Sequence, residues 1–478
     1  MPASPIYTTE EIRRIEQAAG EVSPPLMQRA GEAAAELAAR LAGGRGKDVL
    51  VLAGPGNNGG DARIAAERLK GMFFRVSVAG APAEVPAGRR WALVIDGLFG
   101  IGLARALEGD YARLAAYAGA QGCPVLALDL PSGIDSDTGR VLGTAVRATH
   151  TLSFIALKPG LLTLDGPDYC GEVSVAGLGL DAPALAAPGG WLAAPELFAS
   201  ALAPRPRNFH KGMAGSVAIL GGADGMVGAA LLAGRAALAL GAGRVYCGLL
   251  AHEALALDPV APELMLRHPD EALGLDVDAF VVGPGLGQGE RAETLVGAAI
   301  ASELPCVLDA DALNLIAESE DLRRACARRR AETLVTPHPG EAARLLVTRS
   351  AEVQANRLAA ARNLSSNLKA HALLKGNGSV IVARDGHFFI NTSGNPGMAS
   401  AGMGDVLAGM LGALLAQGLA GEAALVLGAH LHGCAADALV AQGEGPVGLR
   451  AGELLEPARR IWNGWLAAQP GSTPSTSA

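Results

Sequence analysis

Residues 48–61 read DVLVLAGPGNNGGD. Asp48 to Ala53 is a short apolar run, and Gly54, Gly56, Gly59 and Gly60 follow it closely. A continuous apolar run closed by glycines predicts a strand buried on both faces, then a tight turn into a helix. The same unit recurs at FRVSVAG (74–80), ALVIDGLFG (92–100), VLALDLPSG (125–133), HTLSFIALKPG (150–160) and EVSVAGLGL (172–180). Helical patterns or loops separate most of these runs. Ahead of them, Thr8 and Glu11 have the capping-box spacing of a helix start, and a second helix is expected over about residues 24–41. Strands buried on both faces and alternating with helices predict a mostly parallel, doubly wound sheet over residues 1–200.

Residues 201–208, ALAPRPRN, carry two prolines, two arginines and no periodic pattern, and read as a linker. A second series follows: SVAILGG (216–222), RVYCGLL (244–250), AFVVGPGLG (279–287), CVLDADALN (306–314), TLVTPHPGE (333–341) and HALLKGNGSVIVA (371–383). A hairpin to HFFIN (387–391) and helices from about Ser400 complete a second α/β domain, residues 209–468. The last residues, 469–478, read as a disordered tail.

The chain has 478 residues, 50% hydrophobic and 18% charged, enough for two or three domains. A net charge of −8 gives no basic footprint for nucleic acid. The six cysteines form no CxxC pair and no zinc-spaced cluster, so buried free thiols in a reducing compartment are expected. The N-terminus lacks a signal-peptide pattern, and the apolar run Val406–Gly421 is short and glycine-interrupted, which predicts a buried helix rather than a membrane span. A cytoplasmic protein is the expectation.

Ligands of open α/β sheets bind beyond the carboxyl ends of the strands. Gly54, Gly56 and Gly59 satisfy GxGxxG after a strand, but the acidic residue expected about 20 positions on is missing from SVAGAP (77–82). That weakens an ordinary dinucleotide reading and leaves Asn57 and Asn58 as side-chain amides aimed into a site. Asp96, Asp129 and Ser132 also end strands. With Asn58 they form an all-oxygen set suited to a hard cation, or to one carboxylate on a cation and another as acid/base. Each taken singly can instead be a helix cap or a turn.

In the second half, NTSGNPGMASAGMGDVLAG (391–409) is a glycine loop entering an apolar helix. Open amides and the helix dipole there suit a phosphate, and Asp405 in the first turn can take a proton from an acceptor hydroxyl. Read alone, the stretch is equally a loop ending at a helix whose aspartate favours the dipole. His338 stands rigidly between two prolines, Lys375 precedes a glycine turn, and Ala229 leaves room at a helix start. Asp309 and Asp311 can support a metal or a ribose, or cap the next helix. Lys158 is equally a loop cation or a site residue and has no assigned role, and Lys211 is likewise unassigned.

GPGNNGGD, DGLFGIG and LDLPSGIDSDTG, with LMQRAG before and KPG after, resemble the NAD(P)H-hydrate epimerase domain over most of residues 10–180. The resemblance implies a Rossmann-like domain. It also implies that Asn57, Asn58, Gly59, Gly60, Asp61, Gly100, Ile101, Gly102, Leu103, Ala104, Arg105, Ala106 and Asp129 contact the hydrated nucleotide. By the same carry-over Asp129 is the acid/base, and Asn58, Asp96 and Ser132 hold K+. Two departures stand out. Ala62 occupies a position usually glycine in the family, and Gly97 one that is often alanine. If position 62 needs a positive φ, alanine costs on the order of 1 kcal/mol.

GNPGMASAGMGDVLAG, TPHPGE, LKGNGS and GPGLG resemble the ADP/ATP-dependent NAD(P)H-hydrate dehydratase of the ribokinase-like superfamily over about residues 205–465. This implies that Lys375, Gly376, Asn377, Gly378, Ser379 and Gly404 bind ADP or ATP with Mg2+. Ala229, Gly285, Gly287, His338 and Asp405 are implied to contact the hydrate. The implied whole is a bifunctional repair enzyme acting on NADHX and NADPHX. The epimerase half interconverts R and S hydrates, and the dehydratase half uses nucleotide to return the S epimer to NAD(P)H. A homo-oligomer without nucleic-acid or membrane partners is expected. The alternative is a ribokinase-like small-molecule kinase with a regulatory or scaffold N-terminal domain.

Overall fold

The computed structural model describes residues 3–202, 204–253 and 255–468. The expected tail, 469–478, lies outside the described residues. The chain divides into two compact units, one spanning Ser4–Leu192 and the other running from Ala193 onward. Residues 201, 202 and 204–208 of the expected linker therefore fall inside the second unit.

The first unit contains β1 (Asp48–Ala53), β2 (Arg75–Ala79), β3 (Leu93–Gly97), β4 (Val125–Leu128), β5 (His150–Phe154) and β6 (Glu172–Ala176). They lie in the order β2-β1-β3-β4-β5-β6, all parallel. The chain turns one way from β1 to β2 and the other way to β3. The crevice where the order reverses is the usual ligand position in such sheets.

Helices α1 (Thr9–Ala19), α2 (Leu26–Ala42), α3 (Asn57–Gly71) and α4 (Gly109–Gly119) accompany the sheet. Thr8 caps α1 with the capping box its spacing predicts. The α2 start falls at Leu26 rather than near Pro24. Helices α2 and α3 pack through small residues, with Ala30, Ala34, Ala35 and Ala38 sharing a core with Ala62, Ala65 and Ala66 beneath β1 and β3. Alanine stripes let helix axes approach closely, and the lost side-chain volume is made up by Val49, Val51, Leu93 and Ile95 of the sheet.

The second unit contains β7 (Ser216–Gly221), β8 (Arg244–Leu249), β9 (Met265–Arg267), β10 (Ala279–Val282), β11 (Cys306–Leu308), β12 (Thr333–Val335), β13 (His371–Leu374), β14 (Ser379–Val382) and β15 (Phe388–Asn391). The order is β15-β14-β13-β12-β11-β10-β7-β8-β9. Pairing is parallel from β9 to β13 and antiparallel from β13 through β14 to β15. The helices used below are α5 (Val227–Ala239), α6 (Pro339–Leu345), α7 (Arg357–Leu368), α8 (Met403–Ala416) and α9 (Gly421–Ala441). Helix α8 is buried nearly all round, as its uniform apolar sequence requires. Helix α9 is long and apolar enough to cross a membrane by length and composition alone, but 67% of its apolar window is buried inside the protein. All six cysteines are free; Cys123 and Cys434 are only half-buried, against the expectation of burial.

Candidate active sites

In the first unit the strand-end residues gather at the reversal of strand order. Gly59 allows the turn, because a Cβ there would lie 1.9 Å from the Gly54 carbonyl oxygen. Asp129, directly after β4, holds φ at 65°, a left-handed conformation that Asp tolerates better than most residues. Its side chain is fixed from three sides. Lys158 Nζ lies 2.5 Å from Oδ1, Phe154 N–H donates to Oδ1 at 3.4 Å, and Ile101 N–H donates to Oδ2 at 3.2 Å. Lys158 is no loop cation. It is fully buried and also donates to Ser153 Oγ and the Phe154 carbonyl.

Asp96, wholly buried at the end of β3, accepts from Ser132 N–H at 2.8 Å and Ser132 Oγ at 2.7 Å. Burial pushes its carboxyl up to about 6, and the bonds from Ser132 and Leu98 N–H restrain the rise. Ser132 Oγ also accepts from Phe99 N–H. Asn58 is buried with neither side-chain atom partnered. Its Cγ lies 3.5 Å from where a Cβ on Gly100 would sit, a point 2.9 Å from Asp129 Oδ2. Asn58, Gly100, Ile101 and Asp129 therefore converge. Asn57, Ala104, Arg105 and Ala106 are exposed.

The expected strain at Ala62 is absent. Ala62 lies inside α3 with no positive φ. Its methyl occupies the space beside Gly97, where a Cβ would come within 2.4 Å of it. The two departures from the family pattern are thus a complementary pair.

In the second unit, α8 begins at Gly402, whose φ of 90° no side chain favours, and no side chain caps it. The first helical bond runs from Val406 N–H to the Gly402 carbonyl, which leaves the preceding amides open. Asp405 stands in that first turn, with Gly404 before it. A Cβ on Gly404 would lie 3.2 Å from Lys375 Nζ and 3.4 Å from Asp309 Oδ2. Lys375 Nζ donates to Asp309 Oδ1 at 2.8 Å and stands 4.0 Å from Glu341 Oε2. Burial pushes Asp405 up to about 6, helped by the charges of Asp309, Asp311 and Glu341 and opposed by Lys375. Burial alone would lower Lys375, but Asp309 and Glu341 leave it above its ordinary value.

His338 caps α6. Its Nδ1 accepts from Gly340 and Glu341 N–H, and Glu341 Oε2 accepts from His338 N–H. With Nδ1 an acceptor, a neutral ring carries its proton on Nε2, 3.3 Å from Glu341 Oε1. Glu341 thus joins His338 to Lys375. Sequence reading passed over Glu341, although its position three residues after His338 is the capping-box signal. Asp309 and Asp311 do not cap the helix that follows, which has no side-chain cap. Asp311 Oδ2 instead accepts from Gly287 N–H at 2.8 Å. Gly285 packs on Ala229, a Cβ there falling 3.1 Å from the Ala229 methyl.

The loop from Lys375 to Ser379 is held by Arg357 of α7, another residue the sequence did not single out. Arg357 is 1% exposed, and its Nη2 donates to the carbonyls of Leu374, Lys375 and Gly378. Among the described residues no group of three His, Cys, Asp or Glu side chains is arranged to hold a metal.

Family comparison matches both halves of the chain. The NAD(P)H-hydrate dehydratase model matches residues 217–457, and the YjeF-related protein N-terminus model matches residues 23–91 and 81–160. The bifunctional NAD(P)H-hydrate repair enzyme of Escherichia coli is 36% identical over 96% of this chain and 94% of its own length. The chain belongs to the bifunctional NAD(P)H-hydrate repair enzymes. The family member from Coxiella burnetii is 37% identical over 96% of this chain and 99% of its own length. A crystal structure of the ADP/ATP-dependent NAD(P)H-hydrate dehydratase from Bacillus subtilis, co-crystallised with ATP/Mg2+, covers 57% of this chain and 98% of its own, with a TM-score of 0.50 and 30% identity. A ribokinase-like superfamily protein from Enterococcus faecalis matches with a TM-score of 0.50 at 23% identity, which supports the second unit's fold alone. The chain is a two-domain repair enzyme with epimerase and dehydratase parts, and the reading as a simple kinase gives way to it.

Proposed function

We propose that the two clusters are the two catalytic centres, with the epimerase centre built on Asp129 and the dehydratase centre on Asp405. The observation that carries the second assignment is the open first turn of α8, with Asp405 inside it and Lys375 beside Gly404. ADP or ATP lies along Lys375, Gly376, Asn377, Gly378, Ser379 and Gly404, with its terminal phosphoryl on the α8 amides. The S hydrate lies against Ala229, Gly285, Gly287 and His338. Asp405 takes the proton of the C6 hydroxyl as that oxygen attacks the phosphoryl group. The phosphate ester then leaves C6 with the electron pair of the C–O bond, and loss of a ring proton restores the double bond. Hydroxide is a poor leaving group and phosphate a good one. The amides of α8 stabilise the charge that develops on the transferring group. Mg2+ travels with the nucleotide phosphates and needs few protein ligands.

In the first unit the hydrated nicotinamide ring lies over Asp129, Gly100 and Ile101, with Asn57 to Asp61 and the run Gly102 to Ala106 along the rest of the nucleotide. Asn58, Asp96 and Ser132 fit K+. The donors are all oxygen, and the buried Asn58 amide lacks a partner that a cation would supply. K+ there offsets the buried charge of Asp96. Asp129→Ala is expected to abolish epimer exchange, followed by chromatography of the R and S hydrates, and to leave nucleotide-dependent recovery of NADPH absorbance unchanged. Exchange at the wild-type rate would overturn the assignment.

A further inference from the structure

We propose that Asp61 is the second proton-handling residue of epimerisation, acting on C6 from the face opposite Asp129. This rests on the reading of the Asp129 cluster as the epimerase centre. Epimerisation at C6 needs two such groups. The ring nitrogen lone pair expels the hydroxyl, and the C6–O bond breaks as an acid protonates the leaving oxygen. Water is released and an iminium remains. A second water then forms a C6–O bond on the other face and gives its proton to a base. One proton passes from the acid to the base, and the reverse reaction or solvent exchange returns it. A single carboxylate reaches one face only.

Asp61 stands three residues after Asn58 on α3, so both lie on the same helix face. That first turn abuts the end of β3, where a Cβ on Gly97 would lie 3.0 Å from the Asn58 carbonyl oxygen, and the Asn58 side chain reaches toward Gly100 and Asp129. Asp61 is 8% exposed. Its carboxylate has no hydrogen bond or ion pair among the described residues, unlike Asp96 and Asp129. Burial, then the charges of Asp129 and of Glu16 on α1, push it up to about 7.

The surrounding cations are engaged elsewhere. Lys158 is bound to Asp129, Ser153 and Phe154. On α2, Arg29 is bound to the carbonyls of Ser23, Pro24 and Leu178, and Glu32 pairs with Arg68. Arg13 acts on Glu16, and Asp96 is satisfied by Ser132 and Leu98. A buried carboxyl without a partner, its proton held near neutrality, stands beside one bound by a lysine.

The test uses the full chain, separated R and S hydrates of NADPH, and H2(18)O. Asp61→Asn is expected to slow epimerisation by about 10²-fold or more, to remove the fall in wild-type rate above about pH 7, and to leave hydroxyl oxygen exchange with solvent on one epimer only. Asp129→Asn should leave exchange on the other epimer. A merely structural role would remove exchange on both epimers together. That outcome overturns the proposal, as does D61N epimerising within about threefold of wild type. If D61N fails to fold, judged by loss of amide protection in α3, the wild-type profile decides: no alkaline limb means no role for Asp61. Failure of the Asp129 variants to alter epimerisation would sink the underlying reading instead.

Discussion

The two sites use similar parts wired differently. In the first unit Lys158 pairs with Asp129 itself, its side chain 0% exposed, and the free carboxyl is Asp61. In the second, Lys375, with a side chain 22% exposed, pairs with Asp309, and the free carboxyl is Asp405. Asp129 owes its position to a left-handed residue at a strand end, whereas Asp405 owes its position to the first turn of a helix. A lysine on the reactive carboxylate fixes its position. A lysine one residue away leaves the reactive carboxylate basic while supplying a cation near a phosphoryl group.

The most direct way to break that contrast is Asp405→Asn. Dehydration should fall by about 10²–10⁴-fold while epimerisation is unchanged, because proton acceptance is lost and the α8 amides remain. NADPH recovery from S hydrate with ADP or ATP measures the first, and hydrate chromatography measures the second. Equal losses in both assays would mean that the sites are not separate.

Lys158→Met sharpens the comparison on the stability side. It leaves the Asp129 carboxylate buried without its cation, a change that costs about 3–5 kcal/mol. Lys375→Met should cost less, about 1–3 kcal/mol, because water reaches that site. Amide hydrogen exchange resolves the two, since the loss should appear in β4 and β5 for the first variant and in β11 and β13 for the second.

The pH dependence should run in opposite directions. Asp405, at about 6, must be ionised to take a proton, so dehydratase kcat/KM is flat above that pH and falls about tenfold per unit below it. Asp61, at about 7, must be protonated to release the hydroxyl, so the epimerase falls above that pH. Both profiles can be measured on one preparation. Parallel profiles would erase the distinction drawn between the two carboxyls.

Much of this was legible from the chain. Apolar runs closed by glycines place the strands and the parallel order, because strands buried on both faces cannot alternate in polarity. Asp96, Asp129 and Lys375 stand out in the sequence because functional groups of such sheets sit at strand ends, and Asp405 because it follows a glycine loop into a helix. Lys158 and Arg357 act through partners distant in sequence, Asp129 and the 374–378 carbonyls, and a pairing between elements leaves no local spacing to read. Glu341 differs, because its capping-box spacing to His338 is local and only its approach to Lys375 is not. Asp61 stands among the expected substrate contacts, but its difference from Asp129 is one of partners, since both are 8% exposed and Lys158, Phe154 and Ile101 bind Asp129 alone.

The smallest effect tests the most local claim, that Ala62 and Gly97 form one packing unit. Gly97→Ala puts a methyl 2.4 Å from the Ala62 methyl and 3.0 Å from the Asn58 carbonyl oxygen, so α3 must move away from β3. Overpacking of this kind costs about 1–3 kcal/mol. It should also weaken epimerisation, because Asn58 lies on the displaced turn. Ala62→Gly alone costs about 1 kcal/mol from helix propensity and lost packing. If the pair is reciprocal, Ala62→Gly with Gly97→Ala recovers most of the first loss, and a double-mutant cycle gives a coupling of about 1–2 kcal/mol. Hydrogen exchange of α3 and β3 amides in the four proteins measures it. Simple additivity would mean that the Asn58 carbonyl, rather than the Ala62 methyl, excludes a side chain at position 97, and that the two departures from the family pattern arose independently.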